Sequence, residues 1–331
     1  MYEKFFSFRE KPFKLVPNPA YLFLSKSHEE TLAHLNYALA EGDGFVEITG
    51  EVGTGKTTLC RAFLESLDSD TIAAYIFNPR LGPRQLIRAI NDELGIKYDA
   101  DNTKDLIDKL NSFLMHKKAQ RKKVILLIDE AQNLNRNVLE QLRLLSNLET
   151  NQEKLLQIIL VGQPELSEIL DAHELRQLSQ RITLRYHLSP LNHRETAEYI
   201  RYRINIAAQN AGIKFNRSAL RHIYKYSRGI PRVINIACDR SLLTAFSLSR
   251  HRITGSIARA SIKELMGAGA TGNFDLADWK KAFIIFSVLS IVLAAAIFHQ
   301  PLTHGITEFF KHQQNPETED SAIGEPAPKD A

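Results

Sequence analysis

The sequence predicts an α/β fold: a parallel β-sheet covered by helices on both faces, then a small helical bundle and one C-terminal transmembrane helix. Three observations carry this. A short apolar strand pattern runs into a complete glycine-rich phosphate loop and then into a helix. Strand and helix patterns alternate from about residue 45 to 188, the texture of a parallel sheet. Near the C-terminus an uncharged apolar run stands apart from both.

The first strand is Phe45-Val46-Glu47-Ile48-Thr49, and Thr58 to Leu64 reads as the helix that follows it. Between them Gly50-Glu51-Val52-Gly53-Thr54-Gly55-Lys56-Thr57 fits G-x-x-x-x-G-K-[ST] without a gap, with Thr58 opening the helix. Glycines let backbone N–H groups turn inward around anionic phosphates, and the helix start adds partial positive charge. Lys56 is expected to reach the β- and γ-phosphates, and the Thr57 hydroxyl to ligate Mg²⁺.

Thr71 to Phe77 looks like the second strand. Val124-Ile125-Leu126-Leu127-Ile128 is an unbroken apolar run, as a strand buried on both faces requires. It ends in Asp129-Glu130, which places two carboxylates at the sheet edge where ligands of open α/β folds sit. Asp129 is expected to hold Mg²⁺ and Glu130 to orient the attacking water as a general base. A helix over Val138 to Leu148, a strand over Leu155 to Val161 and a strand over Ile182 to His187 complete this part. After Pro190 four amphipathic segments follow: Arg194 to Gln209, Arg217 to Tyr226, Pro231 to Leu248 and Ser256 to Leu265.

Four further positions carry candidate roles. Asn78 after the second strand is either a turn residue before Pro79 or an amide that holds the Glu130 carboxylate until a partner binds. Gln163, in Val161-Gly162-Gln163-Pro164, is either turn chemistry or an amide that orients the γ-phosphate or water. Arg181 precedes the last strand, where an exposed guanidinium could reach a nucleotide held by a neighbouring subunit; Arg185 is the other candidate for that finger. Arg232, at the sharp helix start Arg228-Gly229-Ile230-Pro231-Arg232, could touch the phosphates of its own subunit. The alternative for each arginine is a solvated or salt-bridged surface position.

Residues 282–298 (AFIIFSVLSIVLAAAIF) are close to the lower limit for crossing a bilayer, and Trp279, Lys280 and Lys281 suit an interface anchor. Lysines precede the run and the tail after it is mostly acidic, so the positive-inside rule puts the large N-terminal part in the cytoplasm. The resulting division is an opening segment with a first helix (1–44), an α/β domain (45–189), a helical domain (190–266), a flexible linker (267–281), the span (282–298) and a largely disordered periplasmic tail (299–331). With 44% apolar residues the chain has ample material for a core, and a net charge of +4 does not call for a nucleic-acid partner. Cys60 and Cys238 show no metal-ligand spacing, so both thiols are expected free in a reducing compartment.

These motifs together resemble the AAA+ ATPases. The match is most specific to the general secretion pathway protein A family, whose relatives include pilus-biogenesis and exopolysaccharide-cluster ATPases. The opening Phe5-Phe6-Ser7-Phe8, Lys11 to Leu15, Pro17-Asn18-Pro19 and Tyr21 to Leu24 look like that family's N-terminal signature. So do His28-Glu29-Glu30, Asp129-Glu130-Ala131-Gln132 and Gly162-Gln163-Pro164-Glu165-Leu166. The resemblance covers roughly residues 1 to 266. It implies that residues 1–44 clasp the nucleotide base, that 190–266 form a lid, and that ATP with Mg²⁺ is hydrolysed. The alternative for the opening segment is a hydrophobic clasp that closes the sheet edge. Longer relatives carry a peptidoglycan-binding domain after the span; the short polar tail here argues against direct peptidoglycan binding.

The expected function is a membrane-anchored ATPase that drives or gates assembly of a cell-envelope machine. Its expected partners are further copies of itself in an oligomer, the bacterial inner membrane and an envelope protein, with nucleic acid not expected among them. The alternative is a DNA-dependent ATPase related to transposition or origin-binding proteins, for which Lys117 to Lys123 would supply phosphate contacts. A nucleotide-sensing scaffold without turnover is the third possibility, against which the intact Asp129-Glu130 pair argues.

Overall fold

In a computed structural model, the alternating strand and helix patterns become five parallel strands. The structure describes residues 2–16, 18–42, 44–77, 79–99, 102–149, 154–208 and 213–269. Strands β1 (Phe45–Gly50), β2 (Thr71–Phe77), β3 (Lys123–Asp129), β4 (Gln157–Gly162) and β5 (Ile182–Leu188) lie in the order β2-β3-β4-β1-β5. All pairs are parallel, so the carboxyl ends of β1, β3 and β4 share one edge. That edge brings Gly50, Asp129 and Gly162 side by side.

The chain opens with α1 (Tyr2–Phe5), and around the sheet run α2 (Lys26–Glu41), α3 (Lys56–Glu65), α4 (Pro83–Glu93), α5 (Thr103–Ala119) and α6 (Arg136–Leu145). Two short helices, α7 (Glu165–Leu170) and α8 (Arg176–Ser179), lead into β5. Strand alternation explains why both faces are covered. Val124, Leu126 and Ile128 of β3 join a core with α4, α5 and α6, whereas Ile125 and Leu127 face a second core with α2 and α3. Helix starts are set by short polar side chains: Ser25, Asn102 and Asn135 each accept a hydrogen bond from a first-turn backbone N–H.

The chain then forms α9 (His193–Ala207), α10 (Arg217–Ser227), α11 (Pro231–Ser247) and α12 (Gly255–Gly269), with β6 (Lys214–Phe215) pairing β7 (Arg252–Ile253). Their core, which includes Ile200, Ile223, Ile234 and Leu242, also takes in Tyr2, Phe6, Phe8 and Phe13. The opening aromatics therefore fold into the bundle core rather than closing the sheet edge. A backbone bond from Arg9 N–H to Ala207 O at 2.8 Å fixes them there.

Several expected boundaries shift. Leu155 and Leu156 are buried but precede β4, and the helix expected to reach Gln209 ends at Ala207. Gly267, placed in the linker, is helical, because α12 runs on to Gly269. The remaining linker, the span 282–298 and the tail lie outside the described residues. Among the described residues no helix is long and apolar enough to cross a membrane. Cys60 and Cys238 are both free and buried.

Candidate active site

The phosphate loop joins β1 to α3 through Gly53 and Gly55, whose φ angles of 85° and 109° an L side chain rarely adopts. A Cβ on Gly53 would also stand 2.6 Å from Arg232 Cβ, so the loop and the start of α11 touch closely. Arg232 N–H donates to Gly53 O at 3.2 Å, which places this sequence-derived candidate directly on the loop. Thr54 is buried and its hydroxyl bonds Glu51 O at 2.9 Å; Glu51 and Val52 are exposed.

Lys56 is buried and its Nζ donates to Gly50 O at 2.7 Å and Glu51 O at 3.1 Å. Burial pushes its pKa below the ordinary lysine value, and the Glu130 and Asp129 carboxylates oppose that shift. Asp129 is fully buried and accepts from Thr57 Oγ1 at 2.7 Å, from Tyr75 OH at 3.2 Å and from Glu130 N–H at 2.9 Å. Its pKa is raised by burial, which the hydrogen bond from Thr57 partly offsets. The Thr57 hydroxyl and the Asp129 carboxylate are hard oxygen donors at one sheet edge, a donor set that suits Mg²⁺, a cation that keeps several waters.

Glu130 sits at φ 56°, a conformation uncommon for a residue with a side chain. Its Oε2 accepts from Gln132 Nε2 at 2.7 Å and from Gln163 Nε2 at 3.3 Å. Gln132 Oε1 in turn accepts the Gln163 backbone N–H at 3.0 Å, so Gln132 ties Glu130 to the backbone that follows β4. Gln163 therefore meets Glu130, as its strand-end position suggested. Gln132 was visible only as part of a motif, and its contact to β4 could not be read from spacing. Asn78, the other amide candidate, lies outside the described residues.

Three further groups shape the cleft. His28 is buried with Nδ1 2.6 Å from Ser25 Oγ, and it lines the cleft beside the loop. Lys14 to Val16 and Tyr21 to Phe23 line the cleft opposite the loop. The buried Arg203 guanidinium holds that segment, donating to Pro12 O at 2.7 Å, Lys14 O at 3.2 Å and Tyr199 OH at 2.8 Å, and it lies over the Tyr21 ring. His28 sits in the His28-Glu29-Glu30 motif, whereas nothing local in the sequence marks Arg203.

Arg181 is not freely exposed. Its guanidinium turns back onto the carboxyl end of α6, donating to Arg143 O at 3.2 Å and to Ser146 Oγ. Unpaired carbonyls at a helix C-terminus attract a cation, which is the physical reason. Arg185 is held by Glu47 at 3.2 Å and Asp171 at 2.8 Å. Neither arginine lines the cleft of its own chain.

A protein family described as AAA domain matches residues 39–170. The chain is 46% identical over 296 residues to General secretion pathway protein A of Aeromonas hydrophila, an alignment that covers 89% of this chain and 53% of that protein. It thus spans about half the length of that relative. Among solved structures it resembles the Aeropyrum pernix ORC1 protein in complex with DNA, with a TM-score of 0.58, 17% identity and coverage of 78% of this chain and 70% of that one. It also resembles the Thermotoga maritima RuvB Holliday junction branch migration motor, with a TM-score of 0.52, 20% identity and coverage of 76% and 73%. At such identities the likeness shows the fold alone. It does overturn one expectation: a fold shared with a structure solved on DNA gives no ground for setting nucleic acid aside as a partner. The sheet order, the loop on β1 and the relationship to the Aeromonas protein agree, and the chain carries a P-loop AAA+ ATPase domain closely related to General secretion pathway protein A.

Proposed function

We propose that this chain binds and hydrolyses Mg-ATP to drive or gate assembly of a cell-envelope machine for secretion, pilus formation or exopolysaccharide export. In this reading residues 282–298 anchor it in the bacterial inner membrane, with the ATPase in the cytoplasm and residues 299–331 on the periplasmic side. Residues 1–44 clasp the base, 45–189 form the nucleotide-binding domain and 190–266 the lid. The relationship to General secretion pathway protein A and the apolar run with its lysine flank support the envelope role.

The observation that carries the catalytic half is the pinning of one Glu130 oxygen, Oε2, by two amides. Oε1 is left to accept a proton from water attacking the γ-phosphate. The N–H groups of Gly53 to Thr58 and the Lys56 ammonium bind phosphate, with Lys56 exchanging the Gly50 and Glu51 carbonyls for phosphate oxygens. Thr57 and Asp129 hold Mg²⁺, which neutralises charge on the phosphate oxygens. Arg232 couples the loop to the lid, because a loop that closes on phosphate moves Gly53 O and with it the start of α11. Arg181 acts on a neighbouring subunit's nucleotide, which requires it to leave the end of α6.

The test is turnover of Glu130→Gln beside Lys56→Ala. Glu130→Gln should bind ATP and fail to turn it over, and Lys56→Ala should not bind. Turnover by Glu130→Gln at the wild-type rate removes the base assignment. A second reading, a DNA-dependent ATPase, draws on the fold shared with the ORC1–DNA structure. Stimulation of hydrolysis by duplex DNA would select it.

A further inference from the structure

The bundle carries charge of one sign. Residues 190–267 hold fourteen Lys and Arg against four Asp and Glu, in a chain whose totals are 42 and 38. Some of these cations are engaged: Arg203 is buried, Arg194 pairs with Glu198 and Arg240 with Glu264. Lys214, Arg217, Arg221, Lys225, Arg252 and Arg259 are exposed, and among the described residues none of them forms an ion pair.

These six adjoin. Lys214 of β6 stands directly opposite Arg252 of β7. Like charges paired across strands oppose folding, so packing does not account for them. Arg217, Arg221 and Lys225 follow at four-residue spacing along one stripe of α10. Arg259 of α12 reaches the same helix, with Nη2 3.3 Å from His222 Nε2. A hollow of about 650 Å³ opens among Lys214, Arg217, His251 and Arg252. The bundle also exposes two large apolar side chains: Leu248, two residues before Arg250, is 56% exposed, and Met266, three residues after Lys263, is 62% exposed.

We propose that this face docks on an anionic phospholipid surface. Basic groups attract the phosphates of such a surface, and exposed Leu and Met insert at its apolar boundary, a contact that a nucleic-acid backbone does not offer. Chain continuity points the same way. Helix α12 ends at Gly269, and the twelve residues 270–281 before the apolar run span at most ~43 Å. This last argument rests on the membrane reading above; the charge and the exposed apolar groups do not.

Residues 1–269 contain the whole compact unit that runs to Gly267, with its cores closed, and can be tested alone. The piece is floated with vesicles of phosphatidylcholine, or of phosphatidylcholine with about one third phosphatidylglycerol, at about 0.15 M salt. Its binding to a fluorescent DNA duplex is measured in parallel. We expect flotation with the anionic vesicles only, weakened steeply by salt. Each removed charge should cost about fivefold in affinity. The triple variant Arg217→Gln, Arg221→Gln, Lys225→Gln should thus lose about a hundredfold, with melting temperature and ATP turnover unchanged. Leu248→Ser with Met266→Ser should weaken vesicle binding several-fold. No flotation with anionic vesicles, equal flotation with neutral ones, duplex binding as tight as vesicle binding, or an unaffected triple variant would each overturn the proposal. Full-length chain floated with neutral vesicles reports separately on the span, so failure of that reading is seen apart from failure of this one.

Discussion

Replacing Gln132 with Ala isolates the brace on the catalytic carboxylate. The substitution removes the 2.7 Å bond to Glu130 Oε2 and the acceptor for Gln163 N–H, leaving Glu130 only the longer 3.3 Å bond from Gln163. A hydrogen bond to a charged group contributes about 1.5–3 kcal/mol. The left-handed backbone at Glu130, which costs about 1–3 kcal/mol, then has less to hold it. If most of that loss is felt as misplacement of Oε1 in the transition state, kcat falls roughly 10- to 100-fold. Gln132 does not line the nucleotide cleft, so KM for ATP should stay within about twofold. Steady-state phosphate release with ATP titration reads both. Gly162→Ala is an independent probe: its Cβ would stand 2.8 Å from Gln132 Oε1 and 2.9 Å from Leu166 Cδ2, displacing the brace without deleting the amide. An unchanged kcat in both variants, or a loss confined to KM, refutes the bracing role.

Arg203→Ala should release the opening segment, because it strips the guanidinium from Pro12 O, Lys14 O and Tyr199 OH. We expect faster proteolysis before residue 25 and weaker ATP binding, with a stability loss of about 2–4 kcal/mol in denaturant melts. His28 gives stability a pH dependence. Burial holds its folded pKa below the ordinary value of about 6.5, so its neutral form favours the native state above about pH 6.5 and that contribution declines as pH falls below it. His28→Asn should flatten the melting temperature across that window. For Arg181, an inactive Arg181→Ala mixed with inactive Lys56→Ala should regain hydrolysis, and a mixture that stays inactive rejects action on a neighbour.

The strands were legible because their burial is written locally. Val124 to Ile128 is apolar at every position since alternate residues enter different cores, and that run could be read without any partner. The loop was legible for a similar reason: turn, helix start, Lys56 and Thr57 are contiguous. What the sequence hid is what folding brings together. The Gln132–Gln163 brace joins residues 31 apart, and the Arg203 clasp joins residues about 190 apart. The inward turn of the Arg181 guanidinium could not be read either, because the carbonyl it meets at the end of α6 lies 38 positions back. The basic face of the bundle disappeared in a whole-chain average of +4.

The clasp also sets an order of events in biogenesis. Pro12 and Arg203 are separated by 191 positions, and Phe6, Phe8 and Phe13 belong to a core built mostly from α9 to α12. The opening aromatics therefore leave the ribosome with no native partner. At roughly 5–20 residues per second they wait about 10–40 s for the bundle. The nucleotide cleft acquires its wall only when that docking occurs, so a segment made well before the bundle is among the last to fold. A nascent chain halted before α9 would display an adhesive N-terminus and an open phosphate loop, the state in which a chaperone has most to hold.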